Sequence, residues 1–192
     1  SQKSIVVVGS SHARVLCKPI HVYAKNNDYD FVSLASSGLE VTTSNSPRRP
    51  DAEELNQRKF NVISDINPSV LVMAGMWSGE LREEANVAVL KSRIEDALNS
   101  SNRVIVLGQV PLIKLPNGYK RALRKFLVAK YFSNEFATVE SSKAVLEANQ
   151  NVREIVSEMS SERLFYIDPT ELFTNAKGGL AIVYRKSCEF LY

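Results

Sequence analysis

The residues best placed to do chemistry form one short run, Ser10-Ser11-His12, directly after a β-branched stretch that ends in glycine, Ser4-Ile-Val-Val-Val-Gly9. A serine in a tight turn between a strand and a helix presents its hydroxyl to the cleft, and backbone N–H groups at the helix start can stabilise an oxyanion. Ser11 fits a nucleophile on this ground. Serine is also a common helix N-cap, and the local sequence leaves both uses open. His12 is not assigned as the base, because consecutive residues at a helix start point in different directions; it reads as a structural or substrate-contacting residue. His21, the other histidine, falls mid-helix on the apolar side beside Ile20 and Val22, with no carboxylate partner, and reads as structural.

Three further positions follow apolar runs. Trp77, the only tryptophan, can cap the core or offer its indole N–H, a donor only, to an anionic oxygen. Gly38 and Gly75 suit turns, or a backbone N–H that must approach a ligand closely. Dinucleotide, nucleoside triphosphate and zinc-protease readings lose ground, since G-x-G-x-x-G, G-x-x-x-x-G-K-[ST] and H-E-x-x-H are all absent, as is a G-x-S-x-G elbow. No cofactor and no metal site is expected. Cys17 and Cys188 lack metal or redox spacing and are either two free thiols or one bridge.

Composition sets the frame for these residues. The 192 residues, 44% apolar, are enough for one substantial core. A net charge of +3, with basic residues scattered apart from pairs such as Arg48-Arg49 and Lys120-Arg121, does not specially imply nucleic acid. No apolar run is long enough to span a membrane, and Ile5 to Val8 is too short for a signal peptide core. The chain therefore reads as soluble. Because it begins at Ser1, it is expected to be a processed or excised part of something longer.

The elements that must position the candidates alternate regularly. Strands are predicted at Ser4 to Gly9, Asp30 to Leu34, Pro68 to Gly75, Arg103 to Gln109 and Arg163 to Asp168. Helical patterns occupy His12 to Lys25, kinked or interrupted at Pro19, then Asp51 to Ile66, Glu80 to Asn99, Tyr119 to Phe132 and Val139 to Ser160. Ser36 to Pro50 is a polar loop. Right-handed crossovers between five such strands predict a doubly wound parallel sheet with helices on both faces, a three-layer α/β/α domain over 1–192. Ligands then bind at the C-terminal strand ends. Ser10-Ser11-His12, Ser36-Ser37-Gly38, Met76-Trp77-Ser78, Gln109-Val110-Pro111 and Asp168 are expected along one rim.

Val6-Val-Val-Gly-Ser-Ser-His-Ala-Arg14 resembles the first block of SGNH (GDSL-type) hydrolases, in particular the G-D-S-H-A form of SGNH domains fused to bacterial integral-membrane acyltransferases. Ser10 replaces the usual Asp, and Ser11 aligns with the nucleophile. Val70 to Trp77, Val104 to Pro111 and Leu164 to Phe173 are similar to that subgroup too, in the right order. Four weak stretches in sequence tip Ser11 from cap toward nucleophile. The resemblance implies a flavodoxin-like sheet and an oxyanion hole built from Ser11 and Gly38. The family's third block, G-x-N-D, reads Gly75-Met-Trp-Ser78 here, so Trp77 stands in the place of Asn; its indole or a nearby backbone N–H is expected to take over that role. Ser10, His12 and Ser78 are expected substrate contacts.

The family's fourth block, Asp-x-x-His, supplies the base and its orienting acid and is absent. Ser187 to Tyr192 resembles the segment that just precedes it, so the expectation is a C-terminally truncated piece, nearly inactive as written. By resemblance the native protein is a membrane-bound O-acyltransferase with this domain at the periplasmic or extracytoplasmic face of a bacterial inner membrane. It would take an acyl-ester donor and a glycan acceptor, beside a membrane acyltransferase domain in the same chain. The alternative is an inactive SGNH-like domain that binds glycan or docks on that membrane domain.

Overall fold

The computed structural model describes residues 3–45, 49–110, 138–139, 143–170, 180–181, 183–184 and 189–190. In chain order these form β1 (Ser4–Gly9), α1 (Ser11–Asn26), β2 (Asp30–Ala35), α2 (Ala52–Ile66), β3 (Val70–Ala74), α3 (Trp77–Glu80), α4 (Glu84–Asn99) and β4 (Val104–Leu107). There follow β5 (Thr138–Val139), α5 (Lys143–Glu158), β6 (Leu164–Ile167), β7 (Leu180–Ala181), β8 (Val183–Tyr184) and β9 (Glu189–Phe190). The chain divides into two compact units, Ser1–Gln109 with Ala148–Ile167, and Val110–Glu147 with Asp168–Tyr192.

In the first unit five strands form one parallel sheet in the order β2-β1-β3-β4-β6. β1 is a β-branched run from Ile5 to Val8 and, as an interior strand, is buried along all six residues, as expected of a strand covered on both faces. Side chains alternate between the two faces. Val6 and Val8 join Phe60 and Ile63 of α2, Leu90 and Ile94 of α4, and Val152 and Ile155 of α5. Ile5 and Val7 join Ala13, Leu16, Ile20 and Ala24 of α1 on the opposite face. Each fully buried aliphatic side chain contributes roughly 1.5–3 kcal/mol of hydrophobic stabilisation, so these two clusters fix the layers. The result is the expected three-layer, doubly wound architecture. Register aligns the strand ends: Gly9 lies opposite both Ala35 and Ala74, Ala74 opposite Leu107, and Leu107 opposite Ile167.

The second unit holds two small antiparallel pairs, β5 with β7 and β8 with β9. In it Asp168, expected on the rim, accepts the Thr170 N–H at 2.9 Å through Oδ1. The expected helix at Tyr119 to Phe132, as well as Pro111 and Cys188, lies outside the described residues.

Four local expectations need correction. Helix α1 runs unbroken through Pro19. Pro19 is exposed, and the Val15 carbonyl that loses its amide partner belongs to a residue 69% exposed, where water can serve it. Val22 also faces outward, and His21 is an exposed side chain set edge-on to Phe31, ring centroids 5.3 Å apart, rather than part of an apolar face. The helix expected from Glu80 to Asn99 is two elements, because Leu81 turns into the core and Glu83 takes extended backbone, φ −101° and ψ 128°. The stretch expected as a helix from Val139 instead begins with β5, and α5 starts at Lys143. Cys17 is a free thiol, its Sγ 3.1 Å from Ser33 Oγ.

Candidate active site

The rim is built at Gly9. Its φ is +138°, and a Cβ there would lie 1.8 Å from the Ala74 carbonyl oxygen, so only glycine lets β1 pass β3 this closely before the chain turns. Ser10 follows with extended backbone and acts as the N-cap, its Oγ accepting the His12 N–H at 3.3 Å. The capping role therefore falls on Ser10, which is fully buried. Its expected part as a substrate contact is thereby corrected. Ser11 becomes the first residue of α1, exposed and with no hydrogen bond to its hydroxyl among the described residues.

On the loop after β2, tied to the end of β1 by the Ser36 N–H on the Gly9 carbonyl, Gly38 is exposed and left-handed at φ +70°. Two arginines hold this loop: Arg49 donates to the Ser37 carbonyl and Arg14 to the Ser37 hydroxyl, each at 3.2 Å. Leu39, 2% exposed, anchors its far end. Helix α2 clamps the continuation, with Asn56 Nδ2 donating to the Glu40 carbonyl at 2.8 Å.

Trp77 does not take the role expected of it. It is fully buried, and its indole N–H donates to the Leu107 carbonyl at 2.7 Å, tying the end of β3 to the end of β4. No part of it meets solvent, so neither its indole nor its own backbone N–H is offered to a ligand; it is a structural anchor in the place of the family's Asn. Ser78 remains partly exposed, with its N–H given to Gln109 Oε1 at 2.8 Å. Gln109 is fixed in turn by Asn149 of α5, which accepts the Gln109 N–H at 2.7 Å and donates to its carbonyl at 3.0 Å.

His12 is partly buried, its Nδ1 has no partner among the described residues, and burial pushes its pKa below the ordinary value. Neither His12 nor His21 hydrogen-bonds Ser11. Among the described residues no group of three or more His, Cys, Asp or Glu side chains could hold a metal ion, and no helix is long and apolar enough to cross a membrane.

The residue that sequence reasoning missed is Glu40, 6% exposed. Its Oε2 accepts the Met76 N–H at 3.2 Å. Burial raises its pKa most, while the Ser10 side chain and the Met76 N–H oppose the rise; Glu80 nearby adds to it and Lys59 offsets it. Lys59, 8% exposed, has no hydrogen-bond partner among the described residues, and burial lowers its pKa to about 8. A signal existed: Asn56 and Lys59 sit on the stripe of α2 defined by Ala52, Phe60 and Ile63. Polar residues on a buried stripe mark a buried polar partner opposite.

Fold and rim together define a doubly wound α/β domain of flavodoxin-like strand order, with a serine displayed at the end of its first strand. The chain belongs to the SGNH domain family of the kind fused to AT3 domains, whose model matches residues 1–192. No curated protein matches it. Among solved structures it is similar to the periplasmic domain of a lipopolysaccharide acetyltransferase from Salmonella ser. Paratyphi A, with a TM-score of 0.72 and 18% identity over 96% of this chain and 72% of that one. It is also similar to a family two carbohydrate esterase from Clostridium thermocellum in complex with cellohexaose, with a TM-score of 0.54 and 11% identity over 87% of this chain and 54% of the esterase. An active-site mutant of that esterase family gives the same TM-score and identity, with 53% of its length covered.

Proposed function

We propose that this domain transfers or hydrolyses an acyl ester, acetyl foremost, on cell-surface carbohydrate, with Ser11 as the nucleophile. The observation that carries the reading is the family match over the whole chain, combined with an exposed Ser11 whose hydroxyl has no hydrogen bond among the described residues, the capping falling on Ser10. The acetyltransferase and carbohydrate esterase likenesses support the same chemistry. In this reading the Ser11 oxygen attacks the acyl carbonyl, the backbone N–H groups of Ser11 and Gly38 receive the developing oxyanion, and the acyl group then passes to a sugar hydroxyl or to water. Each oxyanion donor of this type contributes about a hundred- to a thousandfold in rate. His12 and Ser78 border the acceptor.

Neither histidine hydrogen-bonds Ser11, and the 192 residues hold no Asp-x-x-His, so no residue of this chain is assigned as the proton acceptor. The same reading makes the chain one soluble domain, attached to an integral-membrane acyltransferase domain and working at the periplasmic face of a bacterial inner membrane. The test is acetyl release from p-nitrophenyl acetate, and acetyl transfer to surface glycan, by the intact native protein and its Ser11→Ala variant. Loss of both activities with unchanged folding supports the proposal. Activity that survives Ser11→Ala refutes it, and glycan binding without any turnover favours an inactive, glycan-binding domain instead.

A further inference from the structure

A cavity of about 400 Å³ that the chemistry above does not use lies between the end of β2 and helix α2. Leu55, Arg58, Lys59 and Val62 line it from the helix at i, i+3, i+4 and i+7, a single stripe, and Leu34 lines it from the strand. Ser36 and Leu39, on either side of Gly38, border it as well, so one of its walls is the Gly38 loop. Arg49 completes a set of three cations in this otherwise apolar place. Arg49 and Arg58 are exposed and Lys59 is buried, which puts the arginines at the mouth and the lysine at the floor.

The negative groups nearby leave these charges largely unspent. Glu54 pairs with Arg58 on the exposed side of α2. Glu40 attracts Lys59, yet neither it nor any other described residue hydrogen-bonds the Lys59 Nζ. Arg49 gives one donor to the Ser37 carbonyl at 3.2 Å, and a guanidinium has five. Buried charges in folded proteins are paired, so an unpaired ammonium beneath an open, cationic mouth calls for an anion from outside. We propose that this cavity binds an anionic group of the glycan, a carboxylate or a phosphate, and so selects acidic carbohydrate. The guanidinium forks of Arg49 and Arg58 match the oxygens of either group. Lys59, its Nζ closed to water, acts by its field from below, where low dielectric strengthens the attraction. Leu34, Leu55 and Val62 suit the C–H faces of a sugar ring. A sugar held here leans on the same loop that carries Gly38.

The glycan in this inference rests on the acyl-transfer reading, and the experiment keeps the two apart. Lys59→Met, Arg58→Gln and Ser11→Ala are made in the intact native protein. Calorimetric titrations use methyl glucuronide, glucose-6-phosphate, inorganic phosphate and, as the neutral control, methyl glucoside. Wild type should bind the two acidic sugars at least about tenfold more tightly than the neutral one, and Lys59→Met and Arg58→Gln should each weaken that binding at least about fivefold. In acetyl transfer, the same two variants should reduce the preference for a uronate-bearing oligosaccharide over its carboxyl-reduced form by a similar factor, through KM. Equal binding of charged and neutral sugars, or variants that bind as wild type does, overturns the site and leaves the role of Ser11 intact. Inorganic phosphate that binds as tightly as the sugar phosphate overturns the glycan assignment in favour of free phosphate. Should Lys59→Met fail to fold, Arg58→Gln, at an exposed position, decides alone. Hydrolysis of p-nitrophenyl acetate that survives Ser11→Ala overturns the acyl-transfer reading, and the titrations then decide by themselves whether the cavity takes an anion.

Discussion

Replacing Lys59 by methionine should stabilise the protein at neutral pH. Lys59 lies under the Gly38 loop with 8% of its surface exposed and its Nζ unpartnered among the described residues. Burial is the largest influence on its pKa; Glu40 pulls the value up and Arg49 pushes it further down, leaving it at about 8 against the ordinary 10.5. Each pH unit between folded and unfolded values is about 1.4 kcal/mol, so carrying the charged form into the fold costs as much as about 3 kcal/mol. The folded chain releases this proton at lower pH than the unfolded one. The cost is therefore complete below pH 8 and relieved as pH rises toward 10.5. A methionine fills similar space without a charge. Urea unfolding at pH 7 should show Lys59→Met more stable by up to about 3 kcal/mol, or roughly 2–4 °C per kcal/mol in a thermal scan. The difference should shrink steadily between pH 8 and 10.5. The opposing effect is loss of the attraction to Glu40, and breaking a buried charge pair is often costly. A variant less stable than wild type at pH 7, or a difference indifferent to pH, would show that this attraction outweighs desolvation and would refute the reasoning.

Gly9→Ala should be among the most damaging single changes in the first unit, because it combines a left-handed backbone with a 1.8 Å approach to the Ala74 carbonyl; a loss of more than about 3 kcal/mol is expected by chemical denaturation. Trp77→Phe leaves the Leu107 carbonyl, on a half-buried residue, without its indole donor. Equilibrium unfolding should show a loss of about 1–3 kcal/mol, and turnover, measured well below the unfolding midpoint, should change little. Asn149→Ala strips both backbone groups of Gln109 of their side-chain partner, and amide exchange at Gln109 and Ser78 should accelerate along with a stability loss of about 2–4 kcal/mol.

The sheet was legible because its strands are short, mostly apolar runs, β-branched in β1, that alternate with helical stretches; β1 matches its expected bounds, Ser4 to Gly9, in full. The displayed serine was legible for the same reason, since the end of a buried strand dictates where the chain must turn. What escaped was decided by backbone geometry and tertiary contact. Which of Ser10 and Ser11 caps α1 is decided by the local turn geometry, and Glu40 looks like an ordinary solvated charge in a polar loop until the fold buries it against Met76 and Lys59. Trp77 was misread because an indole donor at a strand end serves a ligand or a neighbouring carbonyl equally well; the reach of β4 settles it in favour of Leu107. Pro19 was overweighted, since an exposed helix face tolerates a missing amide.

That same indole gives the protein a built-in optical probe. It is the only tryptophan in the sequence, it is sealed from water, and its ring and the Glu40 carboxylate both crowd the place where a side chain on Gly75 would stand. Its emission reports on one small volume beneath the rim, with no contribution from the second unit. Binding of an acyl donor or a glycan, release of the Glu40 contacts, or parting of β3 from β4 can each be followed as a change in wavelength or lifetime, in the unlabelled wild-type chain.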